Sequence, residues 1–370
     1  MTAATDGSVA GTWVANDRDR GYTVPRLDGD AVRFHRQLDG YAPTSLVELP
    51  SVATELGVGR VFAKDESTRL GLPAFKALGA SWAVSRALGA AQASGAEPIT
   101  VVTATDGNHG RAVARFARLA GHPARIYIPR SGVHPSAIQA IRDEGAEVVE
   151  VIGSYDDAVA TAAAEAQQRG DVLVQDTAWE GYEEVPGWIV EGYATLFTEI
   201  DEQLAALGVA HPDLITVPTG VGSLLQAALA HYRAEGRDGD TAVISVEPTV
   251  AACVAASVAA GESTTVSTSV TTMSGLNCGT VSSLAWPLIR DGLDAAVTVT
   301  DAQATRAAFD LAELGVAAGP CGAASLAGVR AAVLGDGAAS HREHLGLTAD
   351  SVVALTITEG SSANPVVPAQ

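Results

Sequence analysis

The sequence predicts an α/β fold built on mostly parallel sheet. Three features carry that expectation. Short β-branched runs alternate with helical patterns of roughly 10–15 residues, the rhythm of βαβ units. Several of those runs end directly in turns of Gly, Asn or Asp, where open parallel sheets hold their ligands. Hydrophobic residues make up 47% of the 370, against 18% charged, enough to cover buried sheets on both faces. A chain of this length is expected to form roughly two domains.

Taken in order, residues 1–40 are polar and show no pattern. Residues 99–104 (ITVVTA), 124–128 (ARIYI), 147–152 (EVVEVI) and 171–175 (DVLVQ) read as strands, with helices at 110–120, 135–144 and 156–169. A second series follows. Strands are expected at 214–218 (LITVP), 242–247 (AVISVE), 295–300 (AAVTVT) and 351–358 (SVVALTIT), with helices up to 233, after 247 and over 302–314. Crossovers between parallel strands should be right-handed. Residues 261–272, rich in Thr and Ser, and 335–344 read as surface loops.

Composition excludes several classes of function. Lys+Arg number 23 and Asp+Glu 43, a net charge of −20, which opposes binding to nucleic acid or to anionic membranes. No apolar run reaches the roughly 18 residues of a membrane span. The start, MTAATDGSVAGTW, lacks the charge and apolar core of a signal peptide. Cys253, Cys278 and Cys321 are odd in number and widely spaced, unlike a disulfide framework or a zinc site, so no metal is expected. The expectation is a cytoplasmic enzyme or small-molecule binder.

Lysine is the informative count. Lys64 and Lys76 are the only two, and the other 21 basic residues are arginine. Arginine serves solvated and salt-bridging roles but does not become an amine nucleophile. Lys76 opens an apolar helical stretch beside Phe75, Ala77 and Leu78. Burial there should lower its pKa and free an amine for Schiff-base chemistry; the alternative is a surface lysine that snorkels. Nothing in the sequence requires lysine rather than arginine at 64.

Three further segments carry chemistry. Residues 103–110 (TATDGNHG) join a strand to a helix, where backbone N–H groups bind anions such as carboxylates; a plain helix cap is the alternative. Residues 218–224 (PTGVGSL) form a glycine loop able to cradle a phosphate. It is neither a Walker A loop nor a GxGxxG fingerprint, and a tight turn would also explain it. Residues 175–184 (QDTAWEGYEE) set Asp176 just after a strand, beside aromatics. Desolvation there should raise a carboxyl pKa, unless the segment is a solvated acidic loop. A lysine, an anion-binding loop and a phosphate loop together suggest pyridoxal 5′-phosphate, with its aldehyde, its phosphate and its electron-accepting ring.

On these segments the chain resembles the fold-type II pyridoxal phosphate enzymes, the tryptophan synthase β-subunit and serine/threonine dehydratase family. Within it the likeness is to the diaminopropionate ammonia-lyase group. The matching stretches are KDESTRLGLPAFKALGAS (64–81), TATDGNHGRAVA (103–114), QDTAWEGYEEVPGWIVEGYATL (175–196), VPTGVGSL (217–224) and MSGLNCG (273–279). The resemblance implies two open, twisted, mostly parallel sheets flanked by helices. It implies a large cofactor-binding domain from 1–98 and 188–370, and a small substrate-side domain from 99–187.

The resemblance also implies roles. Lys76 looks like the Schiff-base lysine. Gly220, Val221, Gly222, Ser223 and Leu224 look like the phosphate cup, and Asn108 like the asparagine beside the 3′-oxygen. Thr105, Gly107 and His109 look like the grip on the substrate carboxylate. Asp106 stands where dehydratases usually carry Ser, and Asp176 matches a second catalytic aspartate; the two acids would serve opposite α-carbon stereoisomers. Thr358 is expected at the pyridine nitrogen, with Glu359 as the other candidate. The implied reaction is α,β-elimination of ammonia from 2,3-diaminopropionate, giving pyruvate and ammonia, in a homodimer. Residues 319–325 (GPCGAAS) and 358–365 (TEGSSANP) depart from the family pattern, and the first lacks a glutamate expected near the ring. A dehydratase, an epimerase, a β-replacement enzyme or an inactive binding module could share the same residues.

Overall fold

In the computed structural model, residues 12–95, 99–130 and 133–365 are described. The strands are β1 (Trp13–Ala15), β2 (Leu46–Glu48), β3 (Arg60–Asp65), β4 (Val101–Ala104), β5 (Ala124–Pro129), β6 (Glu147–Val151), β7 (Val172–Leu173), β8 (Leu214–Pro218), β9 (Ala242–Pro248), β10 (Ala295–Val299) and β11 (Val352–Ile357). They form a seven-stranded sheet, β1-β10-β9-β8-β11-β3-β2, and a four-stranded sheet, β6-β5-β4-β7. Among the described strands only β1 and β2, at the edges of the larger sheet, run antiparallel to their neighbours.

The larger sheet is covered on both faces, as a parallel sheet requires. Alternation along each strand divides its side chains between two layers. Ile215, Val217 and Ala354 pack with helices Lys76–Ala93, Glu184–Ala206 and Ser223–Tyr232. Leu214, Val353 and Leu355 pack with helices Pro50–Leu56, Asp301–Glu313 and Pro320–Leu334. The first of these cores continues into the smaller sheet through Val101, Ile126 and Ile128. The other face of the smaller sheet, with Val102, Ala104 and Tyr127, is covered by Ala158, Ala162 and Ala166 of helix Tyr155–Arg169. That helix starts at a capping box: Ser154 Oγ accepts from Asp157 N while the Asp157 carboxylate accepts from Ser154 N.

Helices Lys76–Ala93 and Glu184–Ala206 touch through glycine. A Cβ on Gly192 would lie 2.7 Å from the Leu78 carbonyl oxygen, and one on Gly79 would lie 2.5 Å from the Tyr193 ring. The close approach holds Tyr193 against Lys76, whose nitrogen lies 5.7 Å from that ring.

The sequence reading missed β1, β2 and β3, and residues 338–344, expected as loop, form helix Ala338–His344. Residues 261–272 carry no regular element. Strand β3 also answers why residue 64 is lysine. Lys64 is wholly buried, and its Nζ donates to Thr44 O (2.9 Å), Glu199 Oε2 (2.6 Å) and Gln203 Oε1 (2.8 Å). Three acceptors around one point use up the three N–H bonds of an ammonium, whereas a planar five-donor guanidinium would leave buried donors unpaired. Arg69, equally buried, bridges Glu199 to Glu66. Among the described residues no helix is long and apolar enough to cross a membrane.

Candidate active site

A cavity of about 230 Å3 opens at the carboxyl ends of β4, β8 and β11, the expected place for a ligand in such sheets. Lys76, Thr105, Asp106, Asn108, His109, Asp176, Thr358 and the whole of 220–224 line it. Of the residues singled out from the sequence, Gly107 does not.

Lys76 begins helix Lys76–Ala93, and its Nζ donates to Asp176 Oδ2 at 2.6 Å. Burial favours the free amine, but the Asp176 carboxylate outweighs it, and the Lys76 pKa is raised. This corrects the expectation of a lowered value: the local surroundings are apolar, but the decisive charge arrives from the segment after β7. Asp176 is corrected in the opposite sense. Burial pushes its carboxyl up, yet His109 and the paired Lys76 pull it further down, to about 2. Asp106 is the acid that burial, aided by the neighbouring Asp176 charge against the pull of Lys76, pushes up, to about 6. Two carboxyls of one cavity are thus pushed in opposite directions, which lets one carry a proton while the other stays ionised.

His109 is 3% exposed, and burial lowers its pKa. Its Nε2–H donates to the Val174 carbonyl at 2.8 Å, so Nδ1, buried without a partner, faces Asp176 Oδ2 at 3.8 Å with a lone pair. Thr105 Oγ1 accepts from the amides of Gly107 and Gly110, both at 3.0 Å. The N–H of Gly107 and the ring N–H of His109 are therefore used inside the loop. What remains for an incoming carboxylate are the first amides of helix Asn108–Leu119.

The glycine loop leads from β8 into helix Ser223–Tyr232. Gly222 has φ of 99°, a left-handed conformation suited to glycine. A Cβ on Gly220 would lie 3.1 Å from Cys278 Sγ and from the Gly275 carbonyl oxygen. The loop thus presents bare backbone to the cavity, and its N–H groups open a helix, the arrangement that binds phosphate. The Ser223 hydroxyl donates to the Asp176 carbonyl at 2.6 Å, so Ser223 offers the cavity its amide and ties the loop to the segment that carries Asp176.

At the end of β11, Thr358 Oγ1 is buried without a hydrogen-bond partner, whereas Glu359 is fully engaged. Glu359 Oε2 accepts from Asn108 Nδ2 at 2.6 Å and Oε1 from Cys321 N at 3.3 Å. Residues 319–325 carry no carboxylate, and Glu359, from the end of β11, supplies one at the cavity wall. An orphaned hydroxyl, a loop whose two glycines leave little room for a Cβ and a lysine in the same cavity fit pyridoxal phosphate.

Sequence reasoning missed the polar frame behind these groups. Gln175 Oε1 accepts from Thr103 Oγ1 and Ala104 N, both at 2.9 Å, while its Nε2 donates to Tyr155 Oη at 2.9 Å. Tyr155 and Asn277 also line the cavity. Tyr193 lies beside Lys76, and Cys321 stands in the cavity wall.

Fold and site together define a pyridoxal phosphate-binding enzyme. Comparison with known proteins agrees. The family model described as pyridoxal-phosphate dependent enzyme matches residues 37–343. Diaminopropionate ammonia-lyase of Escherichia coli K12 is 36% identical over 355 residues, 90% of this chain and 88% of that enzyme. Its Salmonella typhimurium counterpart is 37% identical over 299 residues, 75% of this chain and 73% of that enzyme. The crystal structure of the Escherichia coli diaminopropionate ammonia-lyase with an aminoacrylate-PLP azomethine reaction intermediate superposes with a TM-score of 0.87 at 33% identity, covering 96% of this chain and 95% of that one. The chain belongs to the pyridoxal-phosphate dependent enzyme family, with the fold-type II architecture and pyridoxal 5′-phosphate as its cofactor.

Proposed function

We propose that the protein is a carbon–nitrogen lyase that eliminates ammonia from 2,3-diaminopropionate, giving pyruvate and ammonia. The observation that carries this is one lysine sharing its cavity with two carboxyls of opposite protonation tendency, Asp176 near 2 and Asp106 near 6. The likeness to diaminopropionate ammonia-lyases over most of the chain supports the choice of substrate.

When bound, pyridoxal phosphate supplies an aldehyde for an amine and a ring that takes up the electron pair of a broken Cα–H bond. The amides of 220–224 would hold its phosphate, Thr358 its pyridine nitrogen and Asn108 its 3′-oxygen. Lys76 becomes a nucleophile on losing its extra proton to solvent, while Asp176, 2.6 Å away and held near 2, stays ionised. Asp106 and Asp176 then take the α-proton, each from the enantiomer that presents it. Asp106, titrating near 6, can also return a proton to the departing β-nitrogen. The substrate carboxylate is held at the end of the Thr105–His109 loop, by the amides of Asn108 and His109 that open helix Asn108–Leu119. In the same reading, residues 99–187 form the substrate-side domain and the remainder the cofactor domain, and the enzyme works in the cytoplasm as a homodimer, which sedimentation would test.

The reading is tested by supplying the holoenzyme with both diaminopropionate enantiomers, serine and threonine. Pyruvate from diaminopropionate at a rate well above that from serine is expected. Turnover of hydroxyamino acids alone would make it a dehydratase instead.

A further inference from the structure

A second cavity adjoins the first. It measures about 500 Å3, and the two share Ser154, Tyr155, Val221, Asn277 and Cys278 in their walls. A molecule as small as diaminopropionate does not need this space. Val159, Ala163, Trp179, Val266 and Val281 make much of its lining apolar, and four threonine hydroxyls add weak polarity. Asp156 is the only charged side chain among the described residues that line it.

The neck between the cavities is polar. Asn277 Oδ1 is buried there without a hydrogen-bond partner, and an unmet buried acceptor is costly unless a ligand supplies an N–H. Tyr155 Oη accepts from Gln175, which leaves its own O–H for the cavity. The phosphate and carboxylate of the bound molecules need donors, and the α-nitrogen is directed to the cofactor. The β-nitrogen is the group left to satisfy an acceptor.

We propose that the second cavity is a subsite for an alkyl substituent on the substrate's β-nitrogen, so that the enzyme also cleaves 2,3-diaminopropionates alkylated there. This rests on the diaminopropionate reading. In R–NH–CH2–CH(NH3+)–COO−, an aspartate takes the α-proton and the freed electron pair forms the Cα=Cβ bond. The Cβ–N bond breaks, and the nitrogen keeps its electron pair, gains a proton and leaves as R–NH2. The 2-aminoacrylate adds water and loses ammonia to become pyruvate. Asn277 Oδ1 accepts the β-N–H at the neck, and the alkyl chain lies along Val159, Ala163 and Trp179. With Asp156 present and no cation to offset it, a substituent bearing a carboxylate is rejected.

The test compares diaminopropionate with its β-N-propyl and β-N-carboxymethyl derivatives on the holoenzyme, following pyruvate and the released amine. The propyl compound should react within about tenfold of the parent in kcat/KM, and the carboxymethyl compound should be slower than the propyl by about a hundredfold or more. Ala163→Phe, which fills the chamber, should raise KM for the propyl compound about tenfold more than for the parent. The α-methyl form of the propyl compound has no α-proton to lose, and its Kd should weaken by a similar factor in Ala163→Phe. Turnover of the parent without the propyl compound, or equal losses for both in Ala163→Phe, would overturn the subsite. If neither amine substrate reacts, the diaminopropionate reading falls, and the Kd of the α-methyl compound alone decides whether the chamber binds alkyl groups.

Discussion

Lys76 Nζ donates to Asp176 Oδ2 across 2.6 Å, although the two residues lie 100 apart in the sequence. The contact sets the resting charges of the site: an ammonium beside a carboxylate held near 2. Neither charge follows from the segment around either residue.

The two acids should divide the enantiomers. Asp106→Asn and Asp176→Asn are each expected to lower turnover of one diaminopropionate stereoisomer by about 10²–10⁴-fold, the usual scale for a general acid or base, and the other by much less. Steady-state kinetics on both isomers checks this, and equal losses for both would contradict divided roles.

The same acids predict opposite effects of pH on stability. Asp106 has its folded pKa raised to about 6, so the stability it contributes is present below its unfolded value of roughly 4 and lost as pH rises through about 6. Asp176, lowered to about 2, contributes stability above that unfolded value, which is lost as pH falls towards 2. In the cofactor-free enzyme, Asp106→Asn should therefore raise Tm by a few degrees at pH 8 and leave it nearly unchanged at pH 4. Thermal unfolding at the two values checks the sign.

Thr358 separates folding from cofactor binding. Its buried hydroxyl has no partner in the chain, so Thr358→Val should cost the cofactor-free fold little or stabilise it. Cofactor affinity should fall about tenfold, the worth of one net hydrogen bond of about 1.4 kcal/mol. Tm of the cofactor-free protein and fluorescence titration with pyridoxal phosphate report the two halves.

Lys64 should resist its conservative replacement. Lys64→Arg forces a wider fork among Thr44, Glu199 and Gln203, and Lys64→Met takes from Glu199 one of its two cationic partners among the described residues, leaving Arg69. Removing one partner of a buried ion pair costs about 3–5 kcal/mol, and each buried donor left unpaired about 1–3 kcal/mol, so Lys64→Met and Lys64→Arg should both unfold at lower urea concentration.

Much of this architecture was legible in the sequence. β4 to β11 were readable because each lies in a short apolar run beside a helical pattern, and the site turns follow several of those strands directly. β3 was not, because Arg60 and Lys64 break its apolar alternation, and only the fold brings Glu199 to neutralise Lys64. The glycine loop and Lys76 carried local signals. The link from Ser223 to the Asp176 carbonyl, the bond from Asn108 to Glu359 and the unpartnered Asn277 carried none, because each exists only where distant loops meet.

The stoichiometry of nitrogen release tests the central claim most directly. Elimination from 2,3-diaminopropionate frees both nitrogens, so the holoenzyme should release two ammonia for each pyruvate, and Lys76→Ala should release neither. One ammonia per pyruvate, no pyruvate from either enantiomer, or undiminished turnover in Lys76→Ala would contradict it.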